Sequence, residues 1–192
     1  MKKILIGTHN QGKFKEIAYL ISKKYKKISP RTLKIKSPKE TGKTFTSNSN
    51  LKVKYFSKFV DYPAISDDSG LCIKSLNNKP GIYSARLAKK HGNFSKAMKF
   101  ILKKIKKKKN RSAIFVCSLS YKHPKKNIIS VVGKVKGTIA LKILGKNGFG
   151  YDSIFIPDGH KVTFGQMRKL KKIKMDHRFI AFKQLKKKIK IL

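Results

Sequence analysis

The chain has 192 residues, which suits one domain of ordinary size and is too short for two full ones. Hydrophobic residues make up 40% of it, enough for a packed core, so wholesale disorder is excluded. Lys and Arg number 49 against 8 Asp and Glu, a formal net charge of +41, and no apolar run approaches the ~18 residues that a membrane helix needs.

In chain order, residues 2–7 (KKILIG) read as a short buried strand and residues 7–12 as a polar loop. The start Met1-Lys2-Lys3 imitates the basic head of a signal peptide, but only Ile4-Leu5-Ile6 follows before Thr8-His9-Asn10. That is too short for an h-region, so a cytoplasmic protein without a targeting segment is expected. A helix should follow, with Phe14, Ile17, Ala18 and Ile21 on one face. Residues 31–36 (RTLKIK) alternate like an exposed strand. After the turn-like Glu40-Thr41-Gly42, a second helix is expected over residues 46–60, on the recurrence of Leu51, Tyr55, Phe56 and Phe59. Residues 63–66 lead as a strand into Asp67-Asp68-Ser69-Gly70, and Leu71-Cys72-Ile73 continue extended. A loop is expected over 77–81, and Phe94, Met98, Ile101, Leu102 and Ile105 mark a third helix ending in the lysine run 106–109, a solvated helix end.

Two long strand signals follow, 112–121 (SAIFVCSLSY) and 127–136 (NIISVVGKVK), joined by a polar turn around His123-Pro124 as in a hairpin. Gly145, Gly148 and Gly150 punctuate a loop, and Ile154-Phe155-Ile156 form a short strand stopped by Pro157. Residues 177–190 close the chain as a helix with Asp176 at its N-cap and Ile180, Leu185 and Ile189 near its apolar face. Cys72 and Cys117 sit in apolar stretches without metal-type spacing and read as buried, reduced thiols. No repeat or linker interrupts this order. The expected fold is α/β, a single domain over 1–192 with a central mixed β-sheet flanked by helices.

So high a charge suggests polyanions, because lysines that neutralise phosphates bind nucleic acid without sequence preference. The lysines are nevertheless spread over nearly every segment, and Arg, the better bidentate reader, occurs only at 31, 86, 111, 168 and 178. Compositional drift toward Lys and a selected polyanion-binding surface both fit this pattern. The scarcity of acids is more telling: Glu16, Glu40, Asp61, Asp67, Asp68, Asp152, Asp158 and Asp176 are all there are. Any metal site must draw on that short set.

Four constellations carry chemistry. Gly7-Thr8-His9-Asn10-Gln11-Gly12-Lys13 takes a strand through a polar turn into a helix, where backbone N–H groups and Lys13 favour anions. It lacks the spacing of a P-loop or dinucleotide fingerprint and also reads as an ordinary strand–helix turn. Asp67-Asp68 stand at an apolar strand, where alternation sends only one of them to a given face. That carboxylate would suit Mg2+ with substrate phosphates, and an Asx-type turn is the plainer alternative. Gly148-Phe149-Gly150-Tyr151-Asp152 offers rings for stacking on a base and a carboxylate for its N–H groups, or a simple glycine-rich loop. Lys172 and His177-Arg178 place cations at the start of the last helix, where a capping or surface role is the alternative.

Taken in this order, the four resemble the inosine triphosphate pyrophosphatase family over nearly the whole chain. The matching pieces are Thr8-His9-Asn10-Gln11-Gly12-Lys13 with Glu16, Glu40-Thr41-Gly42 with Phe45, Asn48 and Lys52, and Asp67-Asp68-Ser69-Gly70-Leu71. They continue through Pro80-Gly81-Ile82-Tyr83-Ser84-Ala85-Arg86, Gly148-Phe149-Gly150-Tyr151-Asp152, and Lys172 with His177-Arg178. The resemblance implies hydrolysis of ITP, dITP and XTP to the monophosphate and pyrophosphate, with Mg2+, by a cytoplasmic homodimer that clears deaminated purines from the nucleotide pool. It implies that Glu40 and Asp68 hold the metal, Asp68 also serving as base for the water that attacks the α-phosphorus. It places Thr8, His9, Asn10, Gln11, Gly12, Lys13, Lys52 and Ser69 against the triphosphate or sugar. Phe149, Gly150, Tyr151, Asp152, Lys172, His177 and Arg178 would surround the base and select its 6-oxo edge.

The family pattern is broken in three places. Ser47 stands where a Glu usually precedes Asn48, Asp176 replaces a Ser before His177, and Arg168-Lys169-Leu170-Lys171 replaces a commonly acidic stretch. Two other functions compete: a basic nucleic-acid-binding protein on the same fold with weak or lost catalysis, and a related enzyme acting on methylated pyrimidine triphosphates. Glu40, Asp68 and Lys13 favour an enzyme over the first, and the Phe149 to Asp152 and His177-Arg178 pieces favour purines over the second.

Overall fold

The computed structural model describes residues 1–189. Its strands are β1 (Lys2–Ile6), β2 (Tyr25–Ile28), β3 (Ala64–Ile73), β4 (Lys79–Pro80), β5 (Ser112–Lys122), β6 (Ile129–Ile139) and β7 (Phe155–Pro157). They form a 7-stranded sheet in the order β2-β1-β3-β5-β6-β7, with β4 attached to β3. The sheet is mixed, as expected: β1 pairs in parallel with β2 and β3, whereas β3–β4 and β6–β7 are antiparallel. The helices are α1 (Gln11–Leu20), α2 (Phe45–Phe56), α3 (Ser84–Lys90), α4 (Phe94–Lys104), α5 (Lys169–Ile173) and α6 (His177–Lys188). No helix among the described residues is long and apolar enough to cross a membrane.

The chain divides into two compact units. The first comprises residues 1–68, 117–133 and the chain from 178 onward. In it, the period-2 alternation of β1 sends Ile4 and Ile6 to one face and Leu5 to the other. Ile17, Ile21, Ala181, Phe182 and Leu185 cover the first face, drawn from α1 and its end and from α6, while Val53 and Phe56 of α2 cover the second. Asn10 caps α1 by accepting the Lys13 N–H at 3.0 Å. Thr44 and Ser47 close α2 with a reciprocal box: Thr44 Oγ1 accepts the Ser47 N–H at 3.0 Å, and Ser47 Oγ accepts the Thr44 N–H at 2.9 Å.

The second unit, residues 69–116 and 134–177, has an aromatic centre in Phe115, Phe155 and Phe164. Arg111 donates to the carbonyls of Ile139 and Ala140 at 2.8 and 2.6 Å, and the Tyr151 hydroxyl donates to the Ser84 carbonyl at 2.9 Å. Strands β3, β5 and β6 each contribute residues to both units.

One expected element is overturned. Residues 31–36 are not a strand; the strand is β2, before Pro30. Lys34 takes φ +55°, and the Ile35 N–H closes a turn onto the Pro30 carbonyl at 2.9 Å, so the chain cannot run extended there. The alternation of Leu33 and Ile35 mimicked a strand, whereas β2 buries Tyr25 and Ile28 at a spacing of three, which a period-2 test rejects. The second helix stops at Phe56 and tightens into a short 3-10 turn, and the 77–81 loop contains the two-residue β4. Helices α3 and α5 add to the expected elements. The paired long strands appear as β5 and β6, neighbours in the sheet. The last helix ends at Lys188, and residue 190 of its expected span lies outside the described residues. Both cysteines are free, Cys117 buried and Cys72 partly so.

Candidate active site

In the first unit, two carboxylates adjacent in sequence have separate partners, as strand alternation requires. Asp67 is fully buried, with Lys13 Nζ at 3.0 Å and Arg178 Nε at 3.6 Å. Arg178 Nη1 also donates to Glu16 Oε2 at 2.5 Å, so two acids and two bases form one buried quartet. Burial pushes the Asp67 carboxyl up, but Lys13, Arg178 and Lys52 outweigh it and hold the group well below the usual carboxylate range. Asp67 is thus locked as a counterion.

Asp68 faces a different set. Its Oδ2 accepts from Asn48 Nδ2 at 2.9 Å, and Lys52 Nζ lies 3.9 Å from Oδ1. Lys52 in turn donates to Glu40 Oε1 at 2.7 Å. Burial raises the Asp68 pKa, more than Lys52, Lys13 and the Asn48 amide lower it, and Glu40 adds to the rise. A carboxylate shifted this way is a better general base near neutral pH than an ordinary surface acid. For Lys52, burial opposes the charge, but Asp67, Asp68 and Glu40 prevail and raise its pKa.

Glu40 and Asp68 suit a hard divalent cation. Lys52 Nζ, 2.7 Å from Glu40 Oε1 and 3.9 Å from Asp68 Oδ1, shows that both carboxylates attend one positive charge. Among the described residues, no three His, Cys, Asp or Glu side chains cluster as a metal cage. Two carboxylates with open positions match the habit of Mg2+, which completes its shell with water and substrate phosphates. Ser47, which stands where the family pattern has Glu, spends its hydroxyl on the α2 cap.

The loop before α1 is held from its own side. His9 sits with Nε2 3.0 Å from the Ile35 carbonyl and Nδ1 2.6 Å from Ser37 Oγ, so its ring braces the turn that follows β2. A carbonyl only accepts, which assigns the proton to Nε2. Thr8 Oγ1 accepts the Asn10 N–H at 3.2 Å, Gln11 is exposed, and Gly12 and Lys13 lie in the first turn of α1, whose N–H groups favour an anion.

In the second unit, Asp152 Oδ2 accepts from Lys172 Nζ at 2.7 Å and from the Phe149 N–H at 2.9 Å, with Asp152 and Lys172 both buried. Lys172 stands 4.9 Å over the Phe149 ring and 3.9 Å from Asp176. Gly148 has φ +75°, and a Cβ there would run into the Asp152 carboxylate. His177 is stacked on Phe115 at 4.8 Å, and Tyr151 is buried with its hydroxyl on Ser84. Ser69 begins this unit, partly buried on β3, and Gly150 supplies a second left-handed turn at φ +68°.

The expected residues therefore fall into two groups. Thr8, His9, Asn10, Gln11, Gly12, Lys13, Glu40, Lys52 and Asp68 belong to the first unit, and Arg178, expected near the base, belongs there too, on Glu16 and Asp67. Ser69, Phe149, Gly150, Tyr151, Asp152, Lys172 and His177 belong to the second. Asn48 has no assigned role in the sequence pattern, although its place one helical turn before Lys52 puts both on one face of α2. A cavity of about 620 Å3 in the second unit, lined by Leu76, Pro80, Tyr83, Leu87 and Phe100 among others, contains none of the residues expected to bind metal or substrate.

Comparison with known proteins gives consistent matches. The sequence model of the Ham1 family matches residues 4–188. The chain is 38% identical to the dITP/XTP pyrophosphatase of Caulobacter vibrioides over 186 residues, covering 96% of each chain. It is 41% identical to the dITP/XTP pyrophosphatase of Borrelia duttonii, covering 97% of this chain and 96% of that one. Among solved structures, the Staphylococcus aureus Ham1 protein aligns with TM-score 0.87 at 34% identity over 98% of each chain. A HAM1 protein from Coxiella burnetii aligns with TM-score 0.88 at 31% identity over 99% of each.

Proposed function

The chain belongs to the Ham1 family, and from that premise we propose that it hydrolyses deaminated purine nucleoside triphosphates (ITP, dITP and XTP) to the monophosphate and pyrophosphate. The observation that carries this reading is the Glu40–Lys52–Asp68 cluster: two acids from a chain with 8, held about one ammonium, of which Asp68 is the base-like one. Asp68 would take the proton of the water that attacks the α-phosphorus. Lys13 and Lys52, with the N–H groups of the first turn of α1 and the side chains of Thr8, His9, Asn10 and Gln11, would neutralise and orient the triphosphate. Gly12, in that first turn, would leave room for the phosphates, and Ser69 would reach phosphate or sugar. Mg2+, held by Glu40 and Asp68, would withdraw charge from the phosphates and the departing pyrophosphate.

The second unit's groups suit the base. Phe149 offers a ring for stacking, Lys172 a donor for O6, and Asp152 an acceptor for N1–H, with Gly150, Tyr151 and His177 shaping the surroundings. The family resemblance also assigns Arg178 to the base; Glu16 and Asp67 fix its guanidinium. We further propose that residues 1–192 work as one catalytic domain in the cytoplasm, in line with their length and composition, and as a homodimer, which the family resemblance implies. Product analysis tests the reaction. With ITP and Mg2+, pyrophosphate and IMP should appear in equal amounts and fall away with EDTA, whereas orthophosphate and IDP would place the cut at the wrong bond.

A further inference from the structure

Asn48 is wholly buried on α2, and its single amide bonds in two directions. Nδ2 donates to Asp68 Oδ2 at 2.9 Å, while Oδ1 accepts the Gly42 N–H at 2.8 Å. The flip of the amide is fixed by chemistry, because an ionised carboxylate only accepts and a backbone N–H only donates. Gly42 lies two residues after Glu40, so the same side chain holds the carboxylate of Asp68 and the backbone that carries Glu40. Lys52, one turn further along α2, bonds Glu40 itself. The approach of the loop to Asn48 is close: a Cβ on Gly42 would sit 2.6 Å from Asn48 Oδ1 and 2.9 Å from its backbone N. Asp at 48 could not donate, Leu could do neither, and Gln would be one methylene too long for both bonds.

We infer that Asn48 is a positioning residue that sets Glu40 and Asp68 in one register, so that the two carboxylates present a ready-made pair of oxygen ligands to a divalent cation. This deepens the proposed metal-dependent reaction and rests on it. Groups that orient ligands from behind contribute about 10- to 100-fold to metal affinity or activity in other proteins. A side chain that only satisfies a buried helix would affect stability and nothing else.

Asn48→Leu keeps the shape and removes both bonds, and Asn48→Ser keeps a small polar group and serves if the Leu variant does not fold. Mn2+ binding to the substrate-free protein, read by electron paramagnetic resonance, should weaken about 10- to 100-fold in either variant. Steady-state assays with ITP should show kcat falling while the KM for ITP changes little, because the phosphate-binding cations are untouched. Wild-type Mn2+ affinity and kcat in a folded variant, with only the melting temperature lowered, would overturn the role of Asn48. Failure of the wild-type protein itself to bind Mn2+ would instead overturn the metal reading from which the inference starts.

Discussion

Asp68→Asn keeps the shape of the side chain and removes the charge that a base and a metal ligand both need. Turnover should fall about 10²- to 10⁴-fold, with little change in melting temperature. Asp67→Asn should do the reverse. It strips the carboxylate from Lys13 and leaves Arg178 with Glu16 alone inside the first unit, and breaking a buried pair costs about 3–5 kcal/mol, measurable by urea unfolding. Because the folded pKa of Asp67 is depressed, its stabilisation is complete above the unfolded value of about 3.9 and is lost as pH falls through the lower folded value. Wild-type stability should therefore drop with acid below about pH 4, and Asp67→Asn should lack that part of the drop. A variant as acid-sensitive as the wild type would show that Asp67 does not carry it.

At the scale of elements, the α2 cap and the turn at Gly148 bear most directly on function. Ser47→Glu restores the acidic residue of the family pattern and still completes a capping box with Thr44, while adding a negative charge at the helix N-terminus. The melting temperature should hold or rise, and half-saturation by Mg2+ should occur at lower concentration; weaker Mg2+ dependence would show that Ser47 is not a deficit. Gly148→Ala meets both a left-handed backbone and the Asp152 carboxylate, so the KM for ITP should rise more than kcat falls. The elements most legible in sequence were those with clean periodicity, such as β1, α4 and the β5–β6 pair. Those that failed have physical reasons: β2 buries residues three apart, and α3 and α5 are one- or two-turn helices too short to show a period. Among the proposed site residues, Asp68 drew notice because acids are so rare, whereas the role of Glu40 came only with the family resemblance. The Glu16–Arg178 pair was not, since 162 residues separate its members and only the packing of α1 beside α6 joins them.

Over the whole molecule, +41 is the largest fact that the site does not explain. Such a field should speed capture of a triphosphate–Mg complex, most strongly at low ionic strength. It should also bind RNA or DNA weakly and without sequence preference, losing affinity steeply with salt. If the basicity is compositional drift, inhibition of turnover by RNA should vanish near physiological salt, where the Debye length is about 8 Å. Submicromolar RNA binding that persists there would instead favour a selected polyanion surface. Polyanions and moderate salt should raise the melting temperature by screening self-repulsion. The base-reading account is exposed to a sharper comparison. A 6-oxo purine presents an acceptor at O6 and a donor at N1, and adenine reverses both, leaving Lys172 and Asp152 facing the wrong partners. The decisive measurement is kcat/KM for pyrophosphate release from ITP and XTP beside ATP at saturating Mg2+. The account predicts a preference of several orders of magnitude for ITP and XTP, and comparable values for ATP and ITP would contradict it.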